Sequence, residues 1–256
     1  METKSKNEIQ SLFEKYHVII KTDDMQNEDM IDVIEHLETD AVAYERPDAY
    51  ILRGKFIYAI EHFCVSQYAK KKNSDLSKEA EGAKICRDKM KTDRDFNLFP
   101  SRSNLERSFR ENLDKHSKSF STYKKNIMAI DKAKNHDYRL IILIEDITES
   151  WLVKSREVNI INPLNLSTMF DILSEYQNSV WGIACLYGNE RDKFLTGYTV
   201  EELDERKKNG KLLCAENYVP FETERKVHVS KNNSKDDRNS VTIKLYDCFC
   251  NRDGIK

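Results

Sequence analysis

The sequence predicts an α/β protein with a mixed central sheet flanked by helices, and three observations carry that expectation. Arg139–Asp146 holds an unbroken Leu-Ile-Ile-Leu-Ile run of strand length, as expected for a strand covered on both faces. Leu166, Met169, Phe170, Leu173 and Tyr176 then follow at helical spacing, and Val180–Tyr187 is a second apolar strand. That order is a βαβ unit, which is most often parallel. Upstream, Tyr50-Ile51-Leu52 and Phe56-Ile57-Tyr58-Ala59-Ile60 flank Arg53-Gly54-Lys55, the form of a β-hairpin.

The remaining elements follow in chain order. Residues 7–20 place Ile9, Leu12, Phe13 and Tyr16 at helical spacing, and 27–39 repeat the pattern with Met30, Ile31, Ile34 and Leu37, so the chain is expected to open with two helices. Residues 66–101 are polar and basic and give no clear periodicity. Ser103 and Glu106 have the form of a capping box. Leu105, Phe109, Leu113, Phe120, Tyr123, Ile127 and Ile130 then mark one face of a helix running to about Lys134. Thr199 and Glu202 cap a short helix that stops near Gly210, and 225–229 and 241–249 read as two late strands around a polar loop.

Composition narrows the classes. With 256 residues and only 7 Gly and 4 Pro, one large domain over 1–256 is the default, with a core at about 28–187 and a C-terminal extension at 188–256. Charged residues make up 34% of the chain, no apolar stretch approaches a bilayer span, and no signal-peptide core follows Met1. A cytoplasmic protein is expected, with its six cysteines as reduced thiols. Charge is unevenly spread: residues 1–65 carry 7 Lys/Arg against 14 Asp/Glu, whereas 66–139 carry 19 against 11. Carboxylates that collect a cation beside a basic surface that holds phosphates would produce this pattern, and so would solvated helix faces.

The hairpin carries the chemistry. It reads Glu45-Arg46-Pro47-Asp48, then twelve residues of strand and turn, then Glu61-His62-Phe63. Asp48 enters the first strand and Glu61 lies near the end of the second, so the two carboxylates can converge on one hard cation, Mg²⁺ or Mn²⁺. Such an ion polarises a phosphoryl oxygen and lowers the pKa of a bound water.

In these residues the sequence resembles the PD-(D/E)XK nuclease superfamily, over about residues 28–65. The site of that family comprises a Pro-Asp, an acid on the following strand and a Lys two positions later. The resemblance implies a restriction-endonuclease-like core, Asp48 and Glu61 as catalytic metal ligands, Glu35 or Glu38 on the preceding helix (or Glu45) as a further acid, and a nucleic-acid partner. Phe63 stands where the family has its Lys. His62, Lys55 and Lys70–Lys72 are the candidates to replace that cation, although strand alternation should turn His62 away from Glu61. Three readings result: a metal-dependent hydrolase of nucleic-acid phosphodiesters; a catalytically inactive interaction subunit of a bacterial defence or nucleic-acid-processing assembly; or an α/β protein with no nucleic-acid role, whose Pro-Asp is a turn before a strand.

Other signals add little. Glu145-Asp146 reads as a polar strand end, and Cys248-Phe-Cys250 as a strand edge lacking the second pair a zinc site needs. No nucleophile-elbow Gly-x-Ser-x-Gly and no Walker or dinucleotide loop occurs. The stretch 84–125 holds 12 Lys/Arg against 6 Asp/Glu, and Arg102, Arg107, Arg110, Lys118 and Lys124 are the cations expected to meet phosphates.

Overall fold

The computed structural model describes residues 8–16, 19–66, 104–147, 162–188 and 193–213 in full, and further helix and strand segments through their backbone alone. Two compact units result, residues 1–65 with 109–218 and residues 66–108 with 219–256. The first contains a seven-stranded mixed sheet flanked by helices, the α/β arrangement expected.

Helix α1 (Glu8–Lys15) buries Ile9, Leu12 and Phe13. It ends sooner than the helical spacing implied, because Val18-Ile19-Ile20 is β-branched and stiff at χ1, which suits a strand better. Strand β1 (Val18–Lys21) results, at one edge of the sheet. Helix α2 (Glu28–Asp40) is capped by Asn27, whose side chain accepts from the Met30 N–H at 3.0 Å, and Glu28 and Asp29 sit at its positive end. Its apolar face is Met30, Val33, Ile34 and Leu37.

Strands β2 (Val42–Ala43), β3 (Ala49–Arg53) and β4 (Phe56–Val65) form an antiparallel meander, with the expected turn at Gly54, where φ is +53°. Strand β5 is Asp95–Leu98. The long helix expected from Ser103 begins at Arg102 and is broken into α3 (Arg102–Ser117) and α4 (Phe120–Met128), leaving Ile130 beyond its end. Strand β6 (Asp137–Asp146) is central, parallel to β4 on one side and to β9 (Gly182–Gly188) on the other. Two short strands, β7 (Trp151–Lys154) and β8 (Glu157–Ile160), pair with each other, and α5 (Ser167–Ser174) leads into β9.

Strand β10 (Asp192–Thr199), unread in the sequence, pairs antiparallel with β9 and parallel with β1. Its apolar pattern is interrupted by Gly197, and the reason is packing: a Cβ there would lie 2.8 Å from Met30 Sδ. Thr199 caps α6 (Val200–Lys208) by accepting from the Glu202 N–H. The full sheet order is β1-β10-β9-β6-β4-β3-β2. Helices α1 and α2 pack with Tyr58, Ile60, Ile141, Leu143, Ala184 and Leu186 on one face.

In the second unit, β11 (Thr223–Lys231) lies between β5 and β12 (Val241–Phe249), all antiparallel. These are the two late strands expected, joined by a third. Lys70–Lys72, Cys250 and most of 66–101 lie outside the described residues. Among the described residues no helix is long and apolar enough to cross a membrane, and neither Cys64 nor Cys185 is in a disulfide.

Candidate functional site

The β3–β4 register pairs Ala49 with Ile60, so Asp48 stands one step beyond, across from Glu61. The loop ahead of it is held by the Tyr44 N–H, which donates to the Asp48 carbonyl at 2.9 Å, and by Asn126 Nδ2, which donates to the Arg46 carbonyl at 2.9 Å. Asp48 Oδ2 accepts from the His62 N–H at 2.8 Å. Burial and the nearby Glu61 charge outweigh that bond and push the Asp48 carboxyl up to about 6. The two carboxylates are therefore close enough to repel.

Glu61 is 5% exposed, and its Oε1 accepts from His116 Nδ1 at 2.5 Å and from the Tyr123 hydroxyl at 2.8 Å. Burial, with Glu61 added, holds the Tyr123 hydroxyl well above its usual range, so it stays a donor. Phe63, two positions after Glu61, is packed: its ring stacks on His116 at 5.4 Å and meets Phe109 at 6.2 Å. Tyr138, on the same face of β6, has a buried hydroxyl that makes no hydrogen bond among the described residues, and burial with the Glu61 charge raises its pKa. Beside it opens a cavity of about 550 Å³ lined by Phe120, Lys124, Tyr138, Arg139 and Trp181 among others.

Alternation along β4 sends His62 and Cys64 to the other face, and the register pairs Cys64 with Glu145 of β6. Glu145, expected to be an ordinary polar strand end, is 2% exposed and fully engaged. Its Oε1 accepts from Lys15 Nζ at 2.7 Å and from the Tyr16 hydroxyl; its Oε2 lies 3.3 Å from Cys64 Sγ and 3.6 Å from His62 Nε2. His62 Nδ1 donates to Glu8 Oε1 at 3.2 Å. Burial alone would lower the His62 pKa, but the carboxylates of Glu145 and Glu8 more than offset it and push it up to about 9. Burial likewise opposes ionisation of Glu145, yet the contacts from His62, Lys15 and Tyr16 hold its carboxyl well below the usual range. His62, Cys64 and Glu145 form a group that could hold a metal ion.

No family model, curated protein or solved structure matches this chain.

Of the residues singled out in the sequence, Asp48 and Glu61 are brought together. Glu35 is exposed on α2, where its carbonyl accepts from Lys21 Nζ, and α2 packs on the face opposite Glu61. It therefore does not join the pair. His62 lies on that opposite face, as alternation required, and Lys55 sits in the hairpin turn with its ammonium 5.1 Å from the Phe56 ring. Arg110, expected to meet phosphates, is held by both oxygens of Glu175 at 2.8 Å, and Arg107 donates to Asn104. Lys118 and Lys124 are exposed. His116 and Tyr123 were missed. They lie along the helix face that Phe109, Leu113 and Phe120 mark, and a histidine three residues after Leu113 is the visible signal.

Proposed function

We propose that this chain is a metal-dependent, nuclease-like protein that holds one Mg²⁺ or Mn²⁺ ion between Asp48 and Glu61 and hydrolyses nucleic-acid phosphodiester bonds. The observation that carries the reading is the facing of these two carboxylates across the β3–β4 hairpin, in a helix, three-strand meander, helix, parallel-strand order. That order agrees with the restriction-endonuclease-like core the motif implies. A pair of acids that repel each other in a partly buried setting is relieved by a divalent cation, and hard oxygen ligands suit ions that keep several waters.

In this reading water attacks phosphorus, the phosphorus–oxygen bond to the leaving strand breaks, and that oxygen takes a proton. The ion supplies charge stabilisation and a more acidic water when bound. His116 replaces the absent Lys. Its ring stacks on Phe63 and its Nδ1 grips Glu61, so it fixes one ligand and adds a donor beside it. Exposed Lys118 and Lys124 offer contacts to the phosphate backbone that depend on salt but not on sequence.

The test is cleavage of single- and double-stranded DNA and RNA with Mg²⁺ or Mn²⁺ by the wild type, Asp48→Asn, Glu61→Gln and His116→Gln. Metal-dependent cutting lost in the first two variants and reduced about 100-fold in the third supports the reading. One observation favours a second reading, a catalytically silent nucleic-acid or protein-binding subunit: Phe63 fills the Lys position and is only 6% exposed. Salt-sensitive nucleic-acid binding with no cutting by the wild type would select it.

A further inference from the structure

We propose that His62 Nε2, Cys64 Sγ and Glu145 Oε2 form a site for a borderline-soft divalent ion of the Zn²⁺ class, on the face of β4 opposite Asp48 and Glu61. This goes beyond the nuclease reading and does not depend on it. Zinc takes imidazole nitrogen, thiolate sulfur and carboxylate oxygen, and bond lengths of about 2.0–2.3 Å in a tetrahedron place such ligand atoms roughly 3.4–3.6 Å apart. The sulfur–oxygen and nitrogen–oxygen separations here are 3.3 and 3.6 Å, and all three ligand atoms lie within 4.8 Å of one another. Little movement is needed to close them round one ion.

The second observation is His62 itself. Its side chain is 8% exposed, and Nε2, aimed at Cys64 and Glu145, makes no hydrogen bond among the described residues. In the metal-free protein Glu145 Oε2 faces this nitrogen as an ion pair 3.6 Å away, and a metal ion between the two would take the place of the proton on Nε2. Meanwhile Nδ1 donates to Glu8, the carboxylate–histidine arrangement that fixes the tautomer of a metal-binding imidazole and leaves Nε2 as the ligand atom. Glu145 is oriented in the same manner. Lys15 and Tyr16 take its Oε1, which turns Oε2 toward the other two groups. Three protein ligands leave a fourth position for water or another small donor. The hard, all-carboxylate Asp48–Glu61 pair and this mixed nitrogen–sulfur–oxygen set therefore sort two classes of cation to the two faces of one strand.

Titration of the full chain with Co²⁺, a spectroscopic stand-in for Zn²⁺, tests the site. One equivalent should give visible bands of a tetrahedral ion and a near-ultraviolet thiolate-to-cobalt charge-transfer band. Cys64→Ser should abolish that band and weaken Zn²⁺ on the order of a hundredfold or more, since even the outer partners of metal ligands are worth 10–100-fold. Glu8→Gln, a change at a 58% exposed side chain that does not threaten folding, should weaken Zn²⁺ about tenfold while keeping the band. Asp48→Asn should leave both readouts unchanged, which separates this site from the proposed nuclease centre. Cobalt bound without a thiolate band, or a band that survives in Cys64→Ser, would overturn the proposal. So would Zn²⁺ affinity unmoved by Glu8→Gln.

Discussion

Asp48→Asn should make the metal-free protein more stable at pH 8, an unusual outcome for a change at a proposed active site. The Asp48 carboxyl is raised from 3.8 to about 6, first by burial and then by Glu61. An acid with a raised folded pKa binds more protons folded than unfolded, so stability falls as pH rises. The cost is absent below about pH 4, grows through pH 6 and is constant above about pH 7. Two pH units correspond to about 3 kcal/mol at most, and partial exposure of Asp48 brings the figure nearer 1–2 kcal/mol. The amide oxygen of Asn keeps an acceptor for the His62 N–H, so the substitution removes the charge and little else. For a chain of this size the gain is about 2–8 °C in melting temperature. Thermal or urea unfolding in chelator at pH 5 and pH 8 measures it, and Mg²⁺ or Mn²⁺ should then raise the melting temperature of the wild type alone. A variant no more stable than wild type at pH 8, or equally favoured at both pH values, would refute the electrostatic argument.

Other perturbations probe the same framework. In the metal-free protein His62, raised to about 9 by Glu145 and Glu8 against the effect of burial, contributes stability that is present below about pH 6.5 and lost as pH rises through 9. His62→Gln should flatten that alkaline slope in urea unfolding, and an unchanged slope would show that the imidazole is not the group responsible. Glu145→Gln leaves Lys15 and His62 without their shared counter-charge and should cost about 3 kcal/mol at pH 7, a cost that begins to shrink only below the usual carboxylate range and fades as pH falls through the depressed pKa of Glu145. Phe63→Lys removes a ring packed between Phe109 and His116 and should cost about 3 kcal/mol; a variant as stable as wild type would contradict the packing. Gly197→Ala puts a Cβ 2.8 Å from Met30 Sδ and 3.2 Å from Ile34 Cδ1, a cost of about 1–2 kcal/mol that Met30→Ala in the same chain should largely relieve.

What was legible in the sequence follows from what each element buries. Strand β6 could be read because it is covered on both faces and so is apolar throughout, and the β3–β4 hairpin because its turn needs a glycine at positive φ. Strand β10 escaped because its shape is set by a neighbour: Gly197 is small to admit Met30, a contact between residues 167 positions apart in the chain. Helix α1 is shorter than its sequence suggests, since Tyr16 continues the helical spacing while its hydroxyl serves Glu145. The site divides in the same way. Asp48 and Glu61 are joined by one hairpin, and local pairing brings them together. His116, Tyr123 and Glu145 reach β4 only through tertiary packing, and nothing local in their sequence neighbourhoods fixes that meeting.

The residues Glu61-His62-Phe63-Cys64 serve both faces of the sheet within four positions of β4. Because side chains alternate, Glu61 and Phe63 face α3 and α4, whereas His62 and Cys64 face α1. His62 links the two faces, since its backbone N–H steadies Asp48 on one side while its imidazole stands beside Glu145 on the other. An ion drawn to His62 would hold that stretch of β4 and with it the donor on which Asp48 depends. Occupancy of the His62 face should therefore slow amide exchange at His62, and an exchange rate unmoved by Zn²⁺ would show that the two faces act independently.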